Sequence, residues 1–122
     1  MEKATKIVKH QGKDIILVNY RGLRADAYSA AIKEVKKKYK ELTESGKKDL
    51  LICADATDSV LGPEQWELEK KNISYIRTYV KGMAVIGVTG YKRFFFKIGS
   101  RFFANVKSFN SVDEALDWLV KL

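Results

Sequence analysis

The chain has 122 residues, of which 46% are hydrophobic and 31% charged, a composition typical of a globular domain with its own core. Its net charge of +8 favours anionic lipid, acidic protein or nucleic acid as partners. The single cysteine excludes an internal disulfide, and we find no signal peptide and no apolar run long enough for a transmembrane segment, so we expect a cytoplasmic protein.

The first half of the chain predicts two strands and a helix. Residues 5–9 and 14–20 are predicted strands, joined by a short turn. A helix follows, with Asp26 as its expected N-cap and Gly46 as its stop. Because the connection between the two strands is short, we expect the first to be an antiparallel strand at the edge of the sheet.

The middle of the chain continues this alternation. Residues 49–54 (DLLICA) are almost entirely apolar, as in a central parallel strand. Pro63 opens a helix that we expect to run to Val80 and to stop at Gly82. Residues 83–88 (MAVIGV) predict the next strand.

The last third predicts two helices and one strand. Residues 91–104 are a predicted helix, residues 106–109 a strand, and Ser111 opens the final helix with Glu114 at the spacing of a capping box. The resulting order is β-β-α-β-α-β-α-β-α. It indicates an α/β fold in one domain over residues 1–122, with a single mostly parallel sheet and helices packed on it.

All of the net charge lies in residues 70–112, which contain nine lysines and arginines and no carboxylate. The rest of the chain holds 14 basic and 15 acidic side chains. Solubility is normally provided by mixed charges, so this segment predicts a surface that attracts anionic partners. On the second helix, four residues of the segment are expected to form a row: Lys70, Ser74, Arg77 and Lys81.

The third helix carries more apolar residues than one stripe needs. At 100° per residue, five of them fall within one arc and are expected to pack on the sheet: Tyr91, Phe94, Phe95, Ile98 and Phe102. Phe96 and Phe103 then project to the opposite side, and Arg93, Lys97 and Arg101 form a third, basic face. We predict an interface there, for another protein, a second copy of the chain or an anionic membrane. The alternative is that the terminal helix covers both phenylalanines.

A glycine turn, from Gly87 to Gly90, precedes this helix. Unpaired N–H groups at a helix N-terminus bind anions, and the Thr89 hydroxyl, Gly90, Lys92 and Arg93 are candidate ligand-binding residues. Ligands of parallel sheets usually bind at the carboxyl ends of the strands. A lipid-like or phosphate-bearing small molecule in a cavity beside the sheet is therefore the alternative function. Turn glycines alone also explain this motif.

Three segments, GKDIILVNYRG, YVKGMAVIGVTG and FNSVDEALDWL, resemble STAS domains of bacterial anti-sigma factor antagonists. The likeness is strongest to stand-alone STAS or CRAL-TRIO-like small proteins, and it covers the whole chain. It implies a non-enzymatic domain that binds a protein, a nucleotide or a lipid-like ligand. Partner-switching members are phosphorylated on a serine in an Asp-Ser-Ser-Gly motif. Asp58-Ser59 matches its first pair, which makes Ser59 a candidate phosphosite, although Val60 departs from the motif.

Catalytic patterns are weak. His10 is the only histidine, Cys53 lies within a strand, and Asp55 and Asp58 are interpreted as loop-organising residues. No cysteine–histidine spacing fits a metal site, and no helix-turn-helix or RNA-binding aromatic pattern is found. We therefore predict no enzyme and no cofactor, and nucleic acid is the least favoured of the partners that the basic charge allows. The leading hypothesis is a STAS-type module that docks an acidic protein or anionic amphiphile through the second and third helices.

Overall fold

The computed structural model describes residues 3–122, which form a five-stranded sheet with helices on both faces. The element order is the predicted one. The strands are β1 (Thr5–His10), β2 (Lys13–Asn19), β3 (Leu50–Asp55), β4 (Val80–Ile86) and β5 (Val106–Phe109). The helices are α1 (Ala25–Glu44), α2 (Pro63–Ile76), α3 (Lys92–Ser100) and α4 (Val112–Val120).

The strands follow one another across the sheet in chain order. β1 pairs antiparallel with β2, and every other pair is parallel, which confirms the predicted antiparallel edge strand. Gln11 and Gly12 connect β1 to β2, and both have positive φ (49° and 81°). Two successive residues of this kind form a tight hairpin turn whose twist matches that of the strands.

The two sheet faces are covered by different helices. Ile16 and Ile52 point to the face covered by α1 and α2, whereas Ile15 and Cys53 point to the face covered by α4. Neighbouring residues of β2 and β3 thus alternate between two apolar layers, which explains the uninterrupted apolar runs at residues 15–18 and 50–54.

The ends of α1 differ in how well the sequence predicts them. The helix begins at Ala25, and Arg24 is the N-cap without a side-chain hydrogen bond, so the expected cap at Asp26 is wrong. At the other end Gly46 has φ of 89°, and its N–H and that of Lys47 bond back to carbonyls of the last turn. This is the Schellman arrangement that a glycine stop predicts.

The prediction that α2 extends to Val80 is wrong. The helix ends at Ile76, and the N–H of Tyr79 bonds the Ile76 carbonyl oxygen at 2.8 Å in a turn. Val80 then pairs with Leu50 in the sheet, so Gly82 lies inside β4 and does not stop a helix. Because Lys81 belongs to β4, the predicted basic row along the second helix does not form.

For the last two helices, one prediction is wrong in extent and the other is confirmed. α3 covers residues 92–100 and is shorter than the predicted 91–104. α4 opens as expected, since Ser111 Oγ accepts a hydrogen bond from the Glu114 N–H at 3.3 Å. Among residues 3–122, none of the helices combines the length and hydrophobicity needed to cross a bilayer.

Candidate functional site

The face of α3 that points into the protein is the one predicted to point outwards. Phe96 and Phe103 are half-buried and line a cavity, and Phe103 packs against the core under α1. Tyr91, Phe94 and Phe102 are instead 52%, 62% and 47% exposed. The prediction that Phe96 and Phe103 form the outward stripe is therefore wrong.

The inward stripe of α3 contains residues that a hydrophobic pattern does not reveal. It consists of Lys92, Phe96, Gly99 and Phe103. Lys92 is only 8% exposed, and its Nζ donates a hydrogen bond to the Ala56 carbonyl oxygen at 2.7 Å. Gly99 brings α3 close to α2, since a Cβ at this position would lie 3.4 Å from Ile73 Cδ1. A lysine and a glycine therefore occupy core-facing positions of this helix.

A cavity of about 130 Å³ lies between the sheet and helices α1, α2 and α3. Its walls are mostly apolar. The sheet contributes Met83, Val85 and Val106, and the helices contribute Ile73, Phe95, Phe96 and Phe103. An engineered apolar cavity of about 150 Å³ binds benzene, so this volume suits a small lipophilic molecule.

One carboxyl group lines this otherwise apolar space. Glu69, on α2, has its Oε1 atom shielded from solvent, and that atom has no hydrogen-bond partner among the described residues. Burial raises the pKa of Glu69 to about 7, an effect that the Tyr20 hydroxyl opposes. Buried polar atoms are nearly always hydrogen-bonded, so an unpartnered carboxyl oxygen marks Glu69 as a candidate for ligand binding.

Three buried tyrosines surround Glu69. Tyr20 directly follows β2, and Tyr28 and Tyr39 come from α1; all three line the cavity. Burial raises the pKa of each, and the negative charge of Glu69 raises it further. The cavity therefore has a polar end, formed by one carboxyl and three phenol groups, and an apolar remainder.

Hydrogen bonds between α1 and α2 hold Glu69 in this position. Gln65 Nε2 donates to Ser29 Oγ at 2.9 Å, and Asn72 Nδ2 donates to the Ile32 carbonyl oxygen at 3.1 Å. These residues lie four positions before and three positions after Glu69, on the same side of α2. The carboxyl group is thus carried by a fixed helix and not by a loop.

Glycine is required where the loops after β3 and β4 meet. Gly87 lines the cavity and has φ of 84°, and a Cβ there would lie 2.4 Å from the Thr57 backbone nitrogen. Thr57 is itself fixed, because Asp55 Oδ1 accepts hydrogen bonds from its N–H and its hydroxyl. Asp55 is therefore a loop-organising residue, as interpreted from the sequence.

The structure does not bring the four predicted anion-binding residues together. Thr89, Gly90 and Arg93 are exposed, whereas Lys92 points inwards to Ala56. The N–H groups of Lys92 and Arg93 already donate to the carbonyl oxygens of Thr89 and Gly90, each at 3.2 Å. Lys92 and Arg93 therefore do not form a paired clamp, and an anion site at this turn stays a prediction.

The candidate phosphosite is in a closed loop. Ser59 is 5% exposed, and both its N–H and its hydroxyl donate to the Ala56 carbonyl oxygen, at 3.1 and 2.7 Å. A kinase would need this loop to open before it reached the hydroxyl. Phosphorylation of Ser59 stays an untested prediction.

The outward face of α3 combines aromatic and basic side chains. We call it the α3 surface; it comprises Tyr91, Arg93, Phe94, Lys97, Arg101 and Phe102, all of them exposed. Within residues 3–122, Arg93, Lys97 and Arg101 have no carboxylate within 4.0 Å. The Arg77 guanidinium lies 5.9 Å from the centre of the Phe102 ring. Lys97 and Arg101 are thus free to meet a partner, and their interface role stays a prediction.

The remaining reactive side chains lie apart from the cavity lining. His10 Nε2 is 2.8 Å from Asp117 Oδ1, in an exposed pair between β1 and α4. Cys53 is buried, and burial raises the pKa of its thiol to about 11, so the thiol stays protonated near neutral pH.

A comparison with solved structures supports the fold. The chain is similar to a protein of the DUF3478 family from Shewanella loihica PV-4, whose crystal structure has a SpoIIAA-like fold. The TM-score is 0.70 at 18% sequence identity, over 95% of this chain and 92% of the other. No protein-family model and no curated protein matches the sequence. The chain therefore has the SpoIIAA-like, STAS-type fold that the resemblance implied.

Proposed function

We propose that the protein is a non-catalytic binding protein that holds a small lipophilic ligand in the cavity between the sheet and helices α1, α2 and α3. The cavity itself carries this proposal, since it has a volume of about 130 Å³ and mostly apolar walls. Protein cores are close-packed, with few voids larger than a water molecule. Ligand sites, in contrast, are concave and apolar with a few polar groups, as this cavity is.

The position of the cavity supports the same function. It lies under the loops that follow β3 and β4, at the carboxyl ends of two parallel strands, where ligands of open α/β sheets bind. Gly87 and Lys92, at the start of and just after the glycine turn, both line it. The alternative function inferred from the sequence thus takes precedence over the leading one.

Toluene is a suitable probe, because it is apolar and close to benzene in size. We expect its titration to shift the methyl NMR signals of Met83, Val85 and Val106, which line the cavity. Val85→Phe places a ring in the same space and is expected to abolish the shifts. Val60→Phe is the matched control, since Val60 is 43% exposed and lies outside the cavity lining.

Two results would contradict cavity binding. One is the absence of shifts at the cavity methyl groups in wild type. The other is equal binding of toluene to wild type and to a folded Val85→Phe variant. If that variant does not fold, Val106→Phe fills the cavity from β5 and replaces it in the comparison. Native mass spectrometry of the purified protein additionally tests for a ligand acquired from cells.

A second function is favoured by the α3 surface. Here we propose that this surface docks on an anionic bilayer, with Phe94 and Phe102 at the acyl boundary and Arg93, Lys97 and Arg101 at the headgroups. Helices that combine exposed aromatic residues with cations lie in the membrane interface in this way. The absence of carboxylates from residues 70–112 means that no neighbour in sequence neutralises the three cations.

Co-sedimentation with vesicles tests this docking. We expect wild type to bind vesicles of phosphatidylcholine and phosphatidylserine, and not phosphatidylcholine alone. Replacing Phe94 and Phe102 by serine is expected to weaken binding at least tenfold, since about 1.4 kcal/mol corresponds to that factor. The control replaces Ile7 and Val60 by serine, because these are similarly exposed apolar residues outside the α3 surface.

A partner other than a membrane at the α3 surface would be recognised by different results. If wild type does not bind anionic vesicles, the membrane proposal is wrong. A dimer in sedimentation analysis that dissociates in the Phe94 and Phe102 double variant would identify a second copy of the chain. Retention by an acidic protein and not by vesicles would identify the partner type expected from the sequence.

A further inference from the structure

The polar end of the cavity contains an acceptor that the described part of the protein does not use. Glu69 Oε1 is shielded from solvent and has no hydrogen-bond partner among residues 3–122. Leaving a buried acceptor unsatisfied is unfavourable, and more so when the group is charged. A bound molecule that donates a hydrogen bond to this atom removes that penalty.

The Tyr20 hydroxyl bonds the Glu69 carboxyl but leaves Oε1 without a partner, and the amide and ammonium donors that line the cavity already bond other groups. Lys92 Nζ donates to the Ala56 carbonyl oxygen, and the charges that act on it most strongly are Asp58 and Asp55. On α2, the amide of Asn72 donates to the Ile32 carbonyl oxygen. Gln65, one turn before Glu69, donates to α1. The donor for Glu69 Oε1 is therefore best supplied by a ligand.

We infer that the cavity selects small lipophilic molecules that carry a hydroxyl or amine group, and that this donor binds Glu69 Oε1. The inference rests on the proposed cavity-binding function and adds the class of ligand. Above pH 7, where Glu69 is ionised, a ligand carboxylate is disfavoured at this end, because it offers only acceptors and repels the Glu69 carboxylate. The apolar body of the ligand then lies against Phe95, Phe96 and Val85.

The experiment compares toluene with benzyl alcohol, which have the same ring and differ by one hydroxyl group. The quantity measured is the ratio of their dissociation constants, in wild type and in Glu69→Leu, at about pH 8.5, where Glu69 is ionised. The two probes differ in hydrophobicity, but this difference affects the ratio equally in both proteins. It therefore cancels when the two ratios are compared. If benzyl alcohol donates a hydrogen bond to the charged Glu69, its affinity relative to that of toluene is expected to be about tenfold or more higher in wild type than in Glu69→Leu.

Two controls make this comparison specific. Glu64→Leu removes an exposed carboxylate from the same helix and is expected to keep the wild-type ratio. Benzoate is expected to bind wild type more weakly than toluene and to gain affinity in Glu69→Leu. If Glu69→Leu does not fold, Glu69→Gln decides instead, because its amide oxygen is a weaker acceptor and is expected to shift the ratio in the same direction.

The failure of this inference differs from that of the proposed function. If neither probe shifts the cavity methyl signals, cavity binding itself is wrong. If both probes bind and the ratio is equal in wild type and in the Glu69 variant, cavity binding stands and the role of Glu69 as acceptor is wrong.

Discussion

The carboxyl group of Glu69 lies on the side of α2 that lines the cavity. Glu69 lies three residues after Trp66, four before Ile73 and seven before Ile76, and all three of these residues line the cavity. A carboxylate at such spacing belongs to the apolar side of an amphipathic helix. Glu69 was nevertheless not identified from the sequence. The charged residues Glu64, Glu67 and Lys70 lie on the exposed side of the same helix, so one more carboxylate among them did not stand out.

The raised pKa of Glu69 predicts how stability depends on pH. Its pKa is about 7 in the folded protein against an ordinary value of 4.5, so between these values the folded state keeps a proton that the unfolded chain releases. Stability then falls as pH rises through this range, because the folded state binds more protons. The tyrosines around it have raised pKa values and stay neutral here.

Urea unfolding at pH 5 and pH 8, followed by tryptophan fluorescence, measures this effect. Above pH 7, ionisation of the buried Glu69 lowers the free energy of unfolding of wild type by about 3 kcal/mol. Glu69→Gln is expected to remove this loss. The variant should therefore gain stability relative to wild type at pH 8 and gain much less at pH 5. An equal difference at both pH values would contradict a buried, protonatable Glu69.

Gly87 and Gly90 allow steric contact to be separated from backbone strain. Both have positive φ, at 84° and 58°, but only Gly87 faces the Thr57 backbone, since nothing lies within 4 Å of a Cβ at Gly90. Gly90→Ala is expected to cost about 1 kcal/mol through strain. Gly87→Ala adds overpacking of about 1–3 kcal/mol. Equal losses in the free energy of unfolding would show that the close approach is unimportant.

At the scale of elements, α3 shows where sequence patterns fail. The largest apolar arc was expected to face the sheet, but the inward stripe contains Lys92 and Gly99, which do not count as apolar. Lys92 can be buried because its ammonium group donates a hydrogen bond to the Ala56 carbonyl oxygen. Ala56 lies in a loop 36 residues away in the sequence, so a local pattern does not reveal this contact. The helix also ends at Ser100, so a period of 100° per residue no longer places Phe102 and Phe103.

The remaining elements were more predictable, because their signals are local. The order of elements, the antiparallel edge, the Gly46 stop and the Ser111 cap were predicted from apolar runs and capping residues. The end of α2 was not, since Val80 leaves the helical pattern to pair with Leu50, which lies far away in sequence. Pairing between strands overrides local propensity at such positions.

The reversed orientation of α3 predicts which phenylalanines support folding. Phe103→Ala is expected to lower the free energy of unfolding by about 2–4 kcal/mol, because Phe103 packs against the core. Phe94→Ala is expected to change it by less than about 0.5 kcal/mol, because Phe94 is 62% exposed. Urea unfolding of the two variants measures both values, and the opposite ranking would restore the orientation expected from the sequence.

At the scale of the whole molecule, the two proposed sites lie on opposite sides of α3. Phe96 and Phe103 line the cavity, whereas Phe94 and Phe102 are exposed on the α3 surface. A membrane docked on this surface would bring a source of lipophilic molecules to the helix that covers the cavity. The excess of positive charge would act mainly at the outer site, because the inner one is lined mainly by apolar groups and Lys92 is its only contribution from the nine cations of residues 70–112.

Ionic strength therefore separates the two sites. The Debye length falls from about 30 Å at 0.01 M salt to about 3 Å at 1 M, so attraction between the α3 surface and anionic vesicles is screened over this range. We expect vesicle binding to weaken at least tenfold, and toluene binding in the cavity to change less than twofold, because burial of an apolar probe involves no charge. Vesicle co-sedimentation and methyl NMR measure the two affinities in the same buffers. A parallel loss of both with salt would show that toluene reaches the cavity only through a charge-dependent step, whereas vesicle binding that ignores salt would contradict the role of Arg93, Lys97 and Arg101.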